Sequence, residues 1–399
     1  MSSVSLNKKD NGKQKQEQKR LSVNEIIRGR GIRRFYTRLL FISVVVVTVL
    51  VFYLQWQNRV FSESILVSSS ATRFVSGITL MNLDGFILGY SKDGISLTDS
   101  SGRAVWNQTY EMQEPRVVIC RNVVAVADYL GSTVYVLDTE QKLGEINTNL
   151  PIRNLDVAAS GHVLTVLEDG NTTWINQYAA DGTQISNSRT TMNESGYPMS
   201  ITLSPNGRLV GISFFSIMDG VSRSSLAFYN FGPVGQNVQN YMSGYNYANT
   251  IVPIMRFIND SSAFAVSDDR IMFFSGNEQP LSSAEHFLAE NVRSIYSGED
   301  HVGLVFHATS GEAMYRVDIY DSRGRMILEK EFDFDYREVI LARDVFIIYN
   351  ELDLLICSYD GTERYRGSLH RVTSLLIPTG QNNRYIAVTN EAIDVLEFR

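Results

Sequence analysis

From residue 62 onward, short segments of the chain alternate apolar and polar positions. A period of two places apolar side chains on one face of an extended chain, which is typical of β-strands. Eight segments share this character: GISLTDSSG (94–102), TVYVLDTEQ (133–141), TTWINQYAADG (172–182), SLAFYNFG (225–232), RIMFFSGN (270–277), YRVDIYDSRG (315–324), LLICSYDG (354–361) and AIDVLEFR (392–399). All but the last lead into a polar turn, and the repeated pattern predicts an all-β fold.

The turns after these segments recur at a nearly constant interval. Comparable turn positions lie 39, 43, 49, 46, 45 and 39 residues apart, at Asp99, Asp138, Asp181, Asn230, Gly276, Asp321 and Asp360. Internal periods of about 40–50 residues with several strands in each are typical of β-propellers, whose blades are four-stranded sheets. The first period divides into four strand candidates, GITLMN, GFILGYS, GISLTDS and AVWNQTY.

The number of repeats predicts the size of the ring. The eighth segment, AIDVLEFR, is not followed by a fourth strand candidate. We expect that strand to come from SESILVSSS (62–70), which would pair with the last three strands and leave the ring without an open edge. The predicted architecture is an all-β, eight-bladed β-propeller over residues 57–399, preceded by one transmembrane helix and a disordered basic tail. A seven-bladed ring is the alternative.

A different hydrophobic pattern precedes the repeats. Residues 39–56 comprise an apolar run, LLFISVVVVTVLVFYL, followed by Gln55 and Trp56, with no charged residue among the 18. At a rise of about 1.5 Å per residue, such a helix nearly matches the ~30 Å hydrocarbon core of a bilayer. The run predicts an uncleaved signal-anchor helix. A cleaved signal peptide is the competing interpretation, and the long leader and missing small-residue cleavage site count against it.

Charge divides the chain at this run. Residues 1–38 carry eleven Lys or Arg and three Asp or Glu, for a net +8, and the remainder carries 25 basic and 40 acidic residues, for a net −15. Basic residues before a span favour a cytoplasmic N-terminus, so residues 57–399 are expected outside the plasma membrane. The polar composition of residues 1–38 predicts disorder, and their position beside the span favours anionic lipid over nucleic acid as their partner.

Three segments resemble known propeller repeats. TDSSGRAVW (98–106) resembles the tryptophan-docking turn of quinoprotein-type (PQQ-like) propellers, and DSRGRMILE (321–329) is a copy without the Trp. ITLSPNGRLVGIS (201–213) resembles a hairpin of WD40-like and TolB-like propellers. The repeats and this resemblance imply structural roles in blade turns and docking for Asp99, Gly102, Trp106, Asp138, Asp321, Gly324, Asp360 and Gly361.

The whole layout is similar to membrane-anchored propeller proteins of Gram-positive bacteria. It also resembles propeller subunits of the bacterial outer-membrane assembly machinery, which implies a scaffold role, although those subunits are lipoproteins and no Cys follows the apolar run closely here. Quinoprotein enzymes use a disulfide of adjacent cysteines, whereas Cys120 and Cys357 are far apart. No quinone or other cofactor is therefore expected.

No spacing of reactive residues indicates catalysis or a metal site. The five histidines, His162, His286, His301, His307 and His370, form no H-E-x-x-H pattern, and no nucleophile elbow, Walker loop or EF-hand loop occurs. EFDFDYRE (331–338) alternates acids with aromatics, and we interpret it as a charged outer strand of a blade, with cation or partner binding as the alternative. Cys120 and Cys357 lie in apolar runs and are expected to be buried free thiols, with a bridge closing the ring as the alternative.

The fourth repeat is the least regular. Its extended hairpin SIMDGVSRSS (216–225) is followed by GPVGQNVQNYMSGYNYANT (232–250), whose Tyr, Asn and Gly content is that of adaptable binding surfaces. Tyr241, Tyr245 and Tyr247 are therefore the candidate partner-binding residues, with buried tyrosines of an irregular blade as the alternative. We predict a non-catalytic scaffold for a protein or cell-envelope polymer, with no small-molecule substrate. An envelope glycan hydrolase and a transmembrane sensor are the alternatives.

Overall fold

The structure is a computed structural model that describes residues 36–52, 59–72, 74, 77–192, 195–309, 311–381 and 383–399. The chain divides into two units, Met1–Arg59 and Val60–Arg399. In the first unit the described residues 36–52 form an α-helix with exposed side chains. Within the described ranges, no helix has both the length and the apolar character needed to cross a bilayer. Residues 53–56 of the predicted span and residues 1–35 of the predicted disordered tail lie outside the described residues.

The described part of the second unit holds thirty-two strands in eight antiparallel sheets of four strands each. Blade 1 consists of β2 (Thr79–Leu83), β3 (Phe86–Tyr90), β4 (Gly94–Thr98) and β5 (Ala104–Thr109), and blade 2 of β6 (Pro115–Cys120), β7 (Val123–Asp128), β8 (Thr133–Asp138) and β9 (Lys142–Asn147). Blade 3 consists of β10 (Ile152–Val157), β11 (Val163–Asp169), β12 (Thr172–Tyr178) and β13 (Gln184–Thr191), and blade 4 of β14 (Tyr197–Leu203), β15 (Leu209–Met218), β16 (Val221–Asn230) and β17 (Tyr241–Ala248).

Blades 5 to 8 follow in the same order. Blade 5 consists of β18 (Ile254–Asn259), β19 (Ser262–Val266), β20 (Arg270–Ser275) and β21 (Leu281–Phe287), and blade 6 of β22 (Ser294–Ser297), β23 (His301–His307), β24 (Tyr315–Asp321) and β25 (Met326–Phe332). Blade 7 consists of β26 (Glu338–Leu341), β27 (Val345–Tyr349), β28 (Asp353–Ser358) and β29 (Glu363–Ser368), and blade 8 of β30 (Leu375–Pro378), β31 (Arg384–Val388) and β32 (Ala392–Phe398) with β1 (Ser64–Ala71). The one described 3-10 helix, Gly235–Val238, lies between β16 and β17.

The eighth blade closes the ring with the first strand of the chain. β1 pairs antiparallel with β32, from Ser64 opposite Phe398 to Ala71 opposite Ala392. This pairing confirms the predicted closure by residues 62–70 and the eight-bladed propeller, and the seven-bladed alternative is wrong. Closure of this kind joins the two ends of the repeat array through backbone hydrogen bonds and removes the edge that the last blade would otherwise expose.

The apolar core lies between neighbouring blades. The middle strands are apolar on both faces, as in β7 and β27, where Val123–Ala127 and Val345–Tyr349 are buried. Each of these faces packs on the sheet of a different neighbour, so the core consists of separate clusters, one for each pair of blades. The first strands of the blades lie innermost, because first strands of neighbouring blades contact one another, as β10 contacts β6 and β14.

A carboxylate organises the turn between the third and fourth strands of a blade. Asp99 accepts hydrogen bonds from the Ser101 hydroxyl (2.6 Å) and from the backbone N–H of Arg103 (3.0 Å). These bonds, led by that of Ser101, hold the pKa of Asp99 well below its usual range. Gly102 adopts φ 86° in this turn, a conformation that glycine reaches without strain. Aspartates at the same position accept turn N–H groups in blades 2, 3, 6 and 7, namely Asp138, Asp181, Asp321 and Asp360.

These turns pack against the outer strand of the preceding blade. Trp106 on β5 donates its Nε1–H to the backbone carbonyl of Asp138 (2.8 Å). His286 on β21 places Nε2 2.6 Å from the carbonyl of Gly324. A Cβ atom on Gly324 would lie 2.6 Å from the Phe273 ring, and one on Gly361 would lie 3.4 Å from Leu328. The turns are therefore contacts between blades, and their small residues allow the close approach.

The interpretation of EFDFDYRE as an outer strand is wrong. β25 ends at Phe332, and residues 333–337 connect blade 6 to blade 7. The aromatic rings of Phe334 and Tyr336 in this connection each lie 5.6 Å from the ring of Phe332. Asp335 accepts a hydrogen bond from the Tyr315 hydroxyl (3.0 Å). The alternation of acids and aromatics thus reflects a linker that covers the end of a blade.

Both cysteines are free thiols, and Cys357 is fully buried. Burial raises the pKa of Cys120 to about 11 and that of Cys357 to about 12. They lie in blades 2 and 7, so no disulfide closes the ring. Within the described part of the chain, no group of His, Cys, Asp and Glu side chains is arranged to hold a metal ion.

Candidate functional site

Blade 4 differs from the other blades by its long central hairpin. Its second and third strands, β15 and β16, have ten residues each, whereas the corresponding strands of the other blades have five to seven. The hairpin turns at Asp219 and Gly220, both with positive φ (54° and 78°), as a type I′ turn requires. Near the tip, Ile217 is 67% exposed and Met218 is 50% exposed. The predicted extended hairpin at 216–225 is therefore confirmed, as the end of a regular ladder that is longer than those of the other blades.

The outer strand of blade 4, β17, presents two unlike faces. Tyr245 pairs with Leu226 and belongs to the core between blades 4 and 5, where its ring lies 5.0 Å from that of Phe274. Its hydroxyl accepts a hydrogen bond from Ser282 N (2.8 Å). Tyr247 lies on the same face, below the guanidinium group of Arg270 at 5.6 Å, and burial raises its pKa to about 12. These tyrosines fill the interface with blade 5.

The opposite face of β17 carries small side chains toward blade 3. Gly244 pairs with Ala227, whose side chain packs on blade 3, and Asn246 and Ala248 share the face of Gly244. A Cβ on Gly244 would lie 2.1 Å from the Tyr241 hydroxyl, so the Tyr241 ring lies across this glycine. A register shift between Phe228 and Tyr229 brings Tyr241 to this face.

Blade 3 also carries small residues on the face of β13 that is directed toward blade 4. Ser188 on β13 pairs with Ile175, and Ser186 pairs with Gln177. Paired residues of an antiparallel ladder share a face, and Ile175 packs against Val210 and Ile212 of blade 4. Serines thus face glycine, asparagine and alanine across the outer part of this interface. The two sheets remain apart there and leave a space that we name the 3–4 gap.

The 3–4 gap contains two clefts. The rim cleft has a volume of about 320 Å³. Its floor is aliphatic and its walls are aromatic and polar: Leu164, Ile175, Ile185, Ser186, Asn187, Ser188, Val210, Ile212, Tyr229, Phe231, Gln239 and Asn240. Four consecutive residues of β13, Ile185 to Ser188, line it, so the backbone of this strand is exposed to the cleft as well as one of its faces.

The hairpin cleft has a volume of about 610 Å³ and lies at the other end of the same gap. The tip of the long hairpin, the end of β17 and the connection from blade 3 line it: Met192, Ser195, Gly196, Ser216, Ile217, Met218, Asp219, Arg223, Ser225, Asn246, Tyr247 and Ala248. Ser225 donates a hydrogen bond to the Asn246 side chain across the cleft floor (2.7 Å). The two clefts have the size and mixed lining typical of binding sites.

The loop between β16 and β17 forms a fixed wall of the rim cleft. Asn230 accepts a hydrogen bond from Gly232 N (2.7 Å) and donates to the carboxylate of Glu278 in blade 5 (2.7 Å). Gln239 and Asn240 then adopt positive φ angles of 54° and 65° in succession. Asn is one of the few residues with a side chain that tolerates this conformation. The Gly and Asn content of segment 232–250 therefore has a structural cause.

The electrostatics of the 3–4 gap are sparse. Among the described residues that line the clefts, Arg223 and Asp219 are charged. Arg223 forms no ion pair within the described ranges, and its guanidinium lies 4.0 Å from the Met218 sulfur. Arg189 is exposed on the other face of β13, toward blade 2. Asp219 carries the one carboxylate among the described residues that line the two clefts.

The inner strands that the structure describes around the central channel also carry few carboxylates. Among the described inner strands, acids occur at Asp156 on β10 and Glu338 on β26, in blades 3 and 7. Asp156 accepts a hydrogen bond from Leu203 N (2.8 Å), and Glu338 accepts one from the Tyr349 hydroxyl (2.7 Å). Both carboxylates are used in contacts of the fold.

The three candidate tyrosines do not form one surface. Tyr245 and Tyr247 face blade 5, and Tyr241, which is 50% exposed, lies on the blade 3 side. Of the three, Tyr247 reaches a cleft of the 3–4 gap. The serines of β13 were missed because the sequence of the third repeat is regular. A run of small polar residues in an outer strand, QISNSRTT, is the available signal. Arg223 was missed although it lies in the singled-out segment 216–225, because no local pattern shows which face of the hairpin lines a cleft.

The eight sheets, their closure and their docked turns define the class of protein, a β-propeller of the PQQ-like and WD40-like repeat type. Within that class, the chain belongs to the family of unknown function DUF5711, whose sequence model matches residues 57–398. No curated protein matches the chain in sequence.

Solved structures with related folds share little sequence with it. Apo AztD from Citrobacter koseri is similar over 74% of this chain and 87% of that one, with a TM-score of 0.51 at 9% identity. BamB from Moraxella catarrhalis is similar over 85% of this chain and 98% of that one, with a TM-score of 0.48 at 13% identity. At such identities the likeness to AztD shows the fold alone.

Proposed function

We propose that this protein is a non-catalytic binding scaffold whose partner docks in the 3–4 gap. The observation that carries the proposal is the widening of one interface between blades. Small residues on β13 and β17 hold two clefts open there, above an aliphatic floor at Leu164, Ile175 and Val210. The floor side chains are themselves buried, but Ile185 is 40% exposed in the same cleft. A water-exposed aliphatic side chain in a concave site is stabilised when a partner covers it. The partner is a protein or a cell-envelope polymer.

A photoreactive residue placed at Ile185 tests this function in cells that express the full chain. Ile185 is 40% exposed on β13 and lines the rim cleft. Ile327 on β25 is a matched control, an outer-strand isoleucine that is 36% exposed in blade 6. We expect a discrete adduct from position 185 and none from position 327. Equal adducts from both positions, or none from 185, would overturn the proposed site.

We also propose that the N-terminal unit anchors the scaffold in the plasma membrane, with the propeller outside. The uncharged run at 39–56 and the net +8 of residues 1–38 support this assignment. The full chain should remain with membranes after an alkaline carbonate wash, and Val45→Arg with Val47→Arg should release it. Each arginine at the centre of a span costs about 2.5–3.5 kcal/mol of insertion free energy. Release of the unaltered chain would contradict the anchor.

A further inference from the structure

We propose that the partner enters the 3–4 gap as an extended polypeptide that pairs with the free edge of β13, with its aliphatic side chains in the rim cleft. This inference rests on the proposed function and names the chemistry of the partner. It follows from three features of the described residues: the character of the β13 edge, the lining of the rim cleft and the unpaired Arg223 of the hairpin cleft.

The outer edge of β13 is suited to accept another strand. β13 is the last strand of its sheet, and four of its consecutive residues line the rim cleft. Propeller rims usually carry charges that prevent strand addition. β25 (MILEKEF) and β29 (ERYRGS) have such charges, whereas β13 (QISNSRTT) carries Arg189 alone and β5 and β17 carry none. β13 differs from β5 and β17 in that four of its consecutive residues line one cleft. The β13 edge therefore offers backbone donors and acceptors without the usual protection.

The floor of the rim cleft favours aliphatic side chains over sugars. Leu164, Ile175, Val210 and Ile212 form its base, are at most 4% exposed and present no hydrogen-bonding groups, and Ile185 is the exposed aliphatic side chain beside them. A sugar hydroxyl directed at these groups would lose its hydrogen bonds to water without replacement, which is unfavourable. An extended peptide places every second side chain on one face, so its apolar residues can enter the cleft while its backbone pairs with β13.

The charge of Arg223 places one further requirement on the sequence of the peptide. Arg223 lines the hairpin cleft and has no ion pair within the described part of the chain. Arg189 pairs with Trp174, which packs on blade 2, so Arg189 lies on the other face of β13. An acidic residue on the peptide would pair with Arg223 and fix the register of the added strand.

An array of eight-residue peptides tests the inference on the detergent-solubilised full chain. One set alternates aliphatic and polar residues and carries a glutamate at either end, and the other set has the same composition with the aliphatic residues in one block. We expect the alternating peptides to bind more strongly. Equal binding of the two sets, or no binding by either, would overturn the inference.

The strongest peptide then serves as a labelled probe for the edge. Ser188→Lys places a charge on the β13 edge, and we expect it to weaken binding roughly tenfold or more. Asn107→Lys makes the same change on the uncharged outer strand β5 and should leave the affinity unaltered. Both side chains are exposed, so neither change disturbs a core. Equal losses for the two variants would exclude β13 as the site.

N-methylation of the peptide distinguishes backbone pairing with β13 from burial of the peptide's side chains in the rim cleft. A strand pairs through alternate N–H groups along one edge, so methylating one alternate set should weaken binding roughly tenfold and methylating the other should not. Equal effects of the two sets would overturn the strand geometry. A photoadduct at position 185 that contains glycan, or a second copy of this chain, would leave the scaffold function standing while refuting a peptide partner.

Discussion

Two pairs of neighbouring blades show how the same repeat gives a sealed rim or an open one. Between blades 6 and 7, the Phe332 side chain of β25 is 2% exposed, and its ring lies 5.5 Å from that of Tyr315. The Lys330 ammonium group pairs with Glu363 of β29 at 2.6 Å, and Arg366 pairs with Asp333. Large and charged side chains of the outer strands therefore close this interface.

Between blades 3 and 4, the corresponding positions hold small residues. Ser186 and Ser188 face Gly244 and Asn246, and a cleft of about 320 Å³ remains. The inner and middle strands pack alike in both pairs, with continuous apolar clusters. The difference is confined to the outer strands. A propeller can thus gain a binding site by changing rim residues while the ring that positions them stays intact.

The largest expected effect comes from removing the seal between blades 6 and 7. Phe332→Ala deletes a buried ring from this interface and should lower the free energy of unfolding by about 3–5 kcal/mol. Ile185→Ala at the rim cleft should change it by no more than about 0.5 kcal/mol, because that side chain is 40% exposed. Denaturant unfolding of both variants measures the contrast. Similar losses would mean that the 3–4 interface is packed as tightly as its counterpart.

The ring itself was predictable because its signals are local. Period-two alternation recurs in the repeats, and turn aspartates such as Asp99 recur in five of the eight blades. Each of these signals depends on neighbouring residues alone. The closing strand, SESILVSSS, was predictable because the eighth repeat lacked a partner at its edge. Local alternation misled at EFDFDYRE, where Phe334 and Tyr336 pack on Phe332 from a linker. An alternating pattern does not distinguish a strand from a linker whose aromatic side chains cover a blade.

The site was predictable in place but not in detail. Segment 216–250 stood out because it breaks the repeat, and it forms one side of the 3–4 gap. The roles of its tyrosines depend on register, which no local pattern contains. The shift between Phe228 and Tyr229 turns Tyr241 toward blade 3, while Tyr245 faces blade 5. The facing serines of β13 lie in another repeat, so their contribution appears only when two blades are placed side by side.

A hydrogen bond to Asp156 joins blades 3 and 4 near the channel, although the rims of these blades are apart. Asp156 on β10 accepts a hydrogen bond from Leu203 N of β14 (2.8 Å), and desolvation raises its pKa to about 6. An unfolded Asp has a pKa near 3.9. The folded state therefore binds this proton more tightly, so the contribution of Asp156 to stability is fullest below about pH 4 and is lost as the pH rises through 6.

Asp156→Asn removes this titration. The stability of the wild-type chain should fall by on the order of 2 kcal/mol relative to Asp156→Asn between about pH 4 and 7, measured as the free energy of unfolding. Asp99→Asn is the control of opposite sign, because folding lowers the pKa of Asp99. The contribution of Asp99 to the free energy of unfolding is therefore present at neutral pH and is lost on acidification. Parallel pH profiles for the wild type and Asp156→Asn would refute the assignment.

The smallest expected effect concerns the ion pair that seals the rim of blades 6 and 7. The side chains of Lys330 and Glu363 are 22% and 35% exposed, so water screens their attraction in part. Lys330→Met should lower the free energy of unfolding by up to about 1 kcal/mol at low salt, and the difference should shrink as salt is added. Arg189→Met at the open rim removes a cation without an ion pair and should have no such salt-dependent effect. If the loss for Lys330→Met is the same at all salt concentrations, attraction between the two charges does not stabilise the sealed rim, because ions screen the attraction between partly exposed charges.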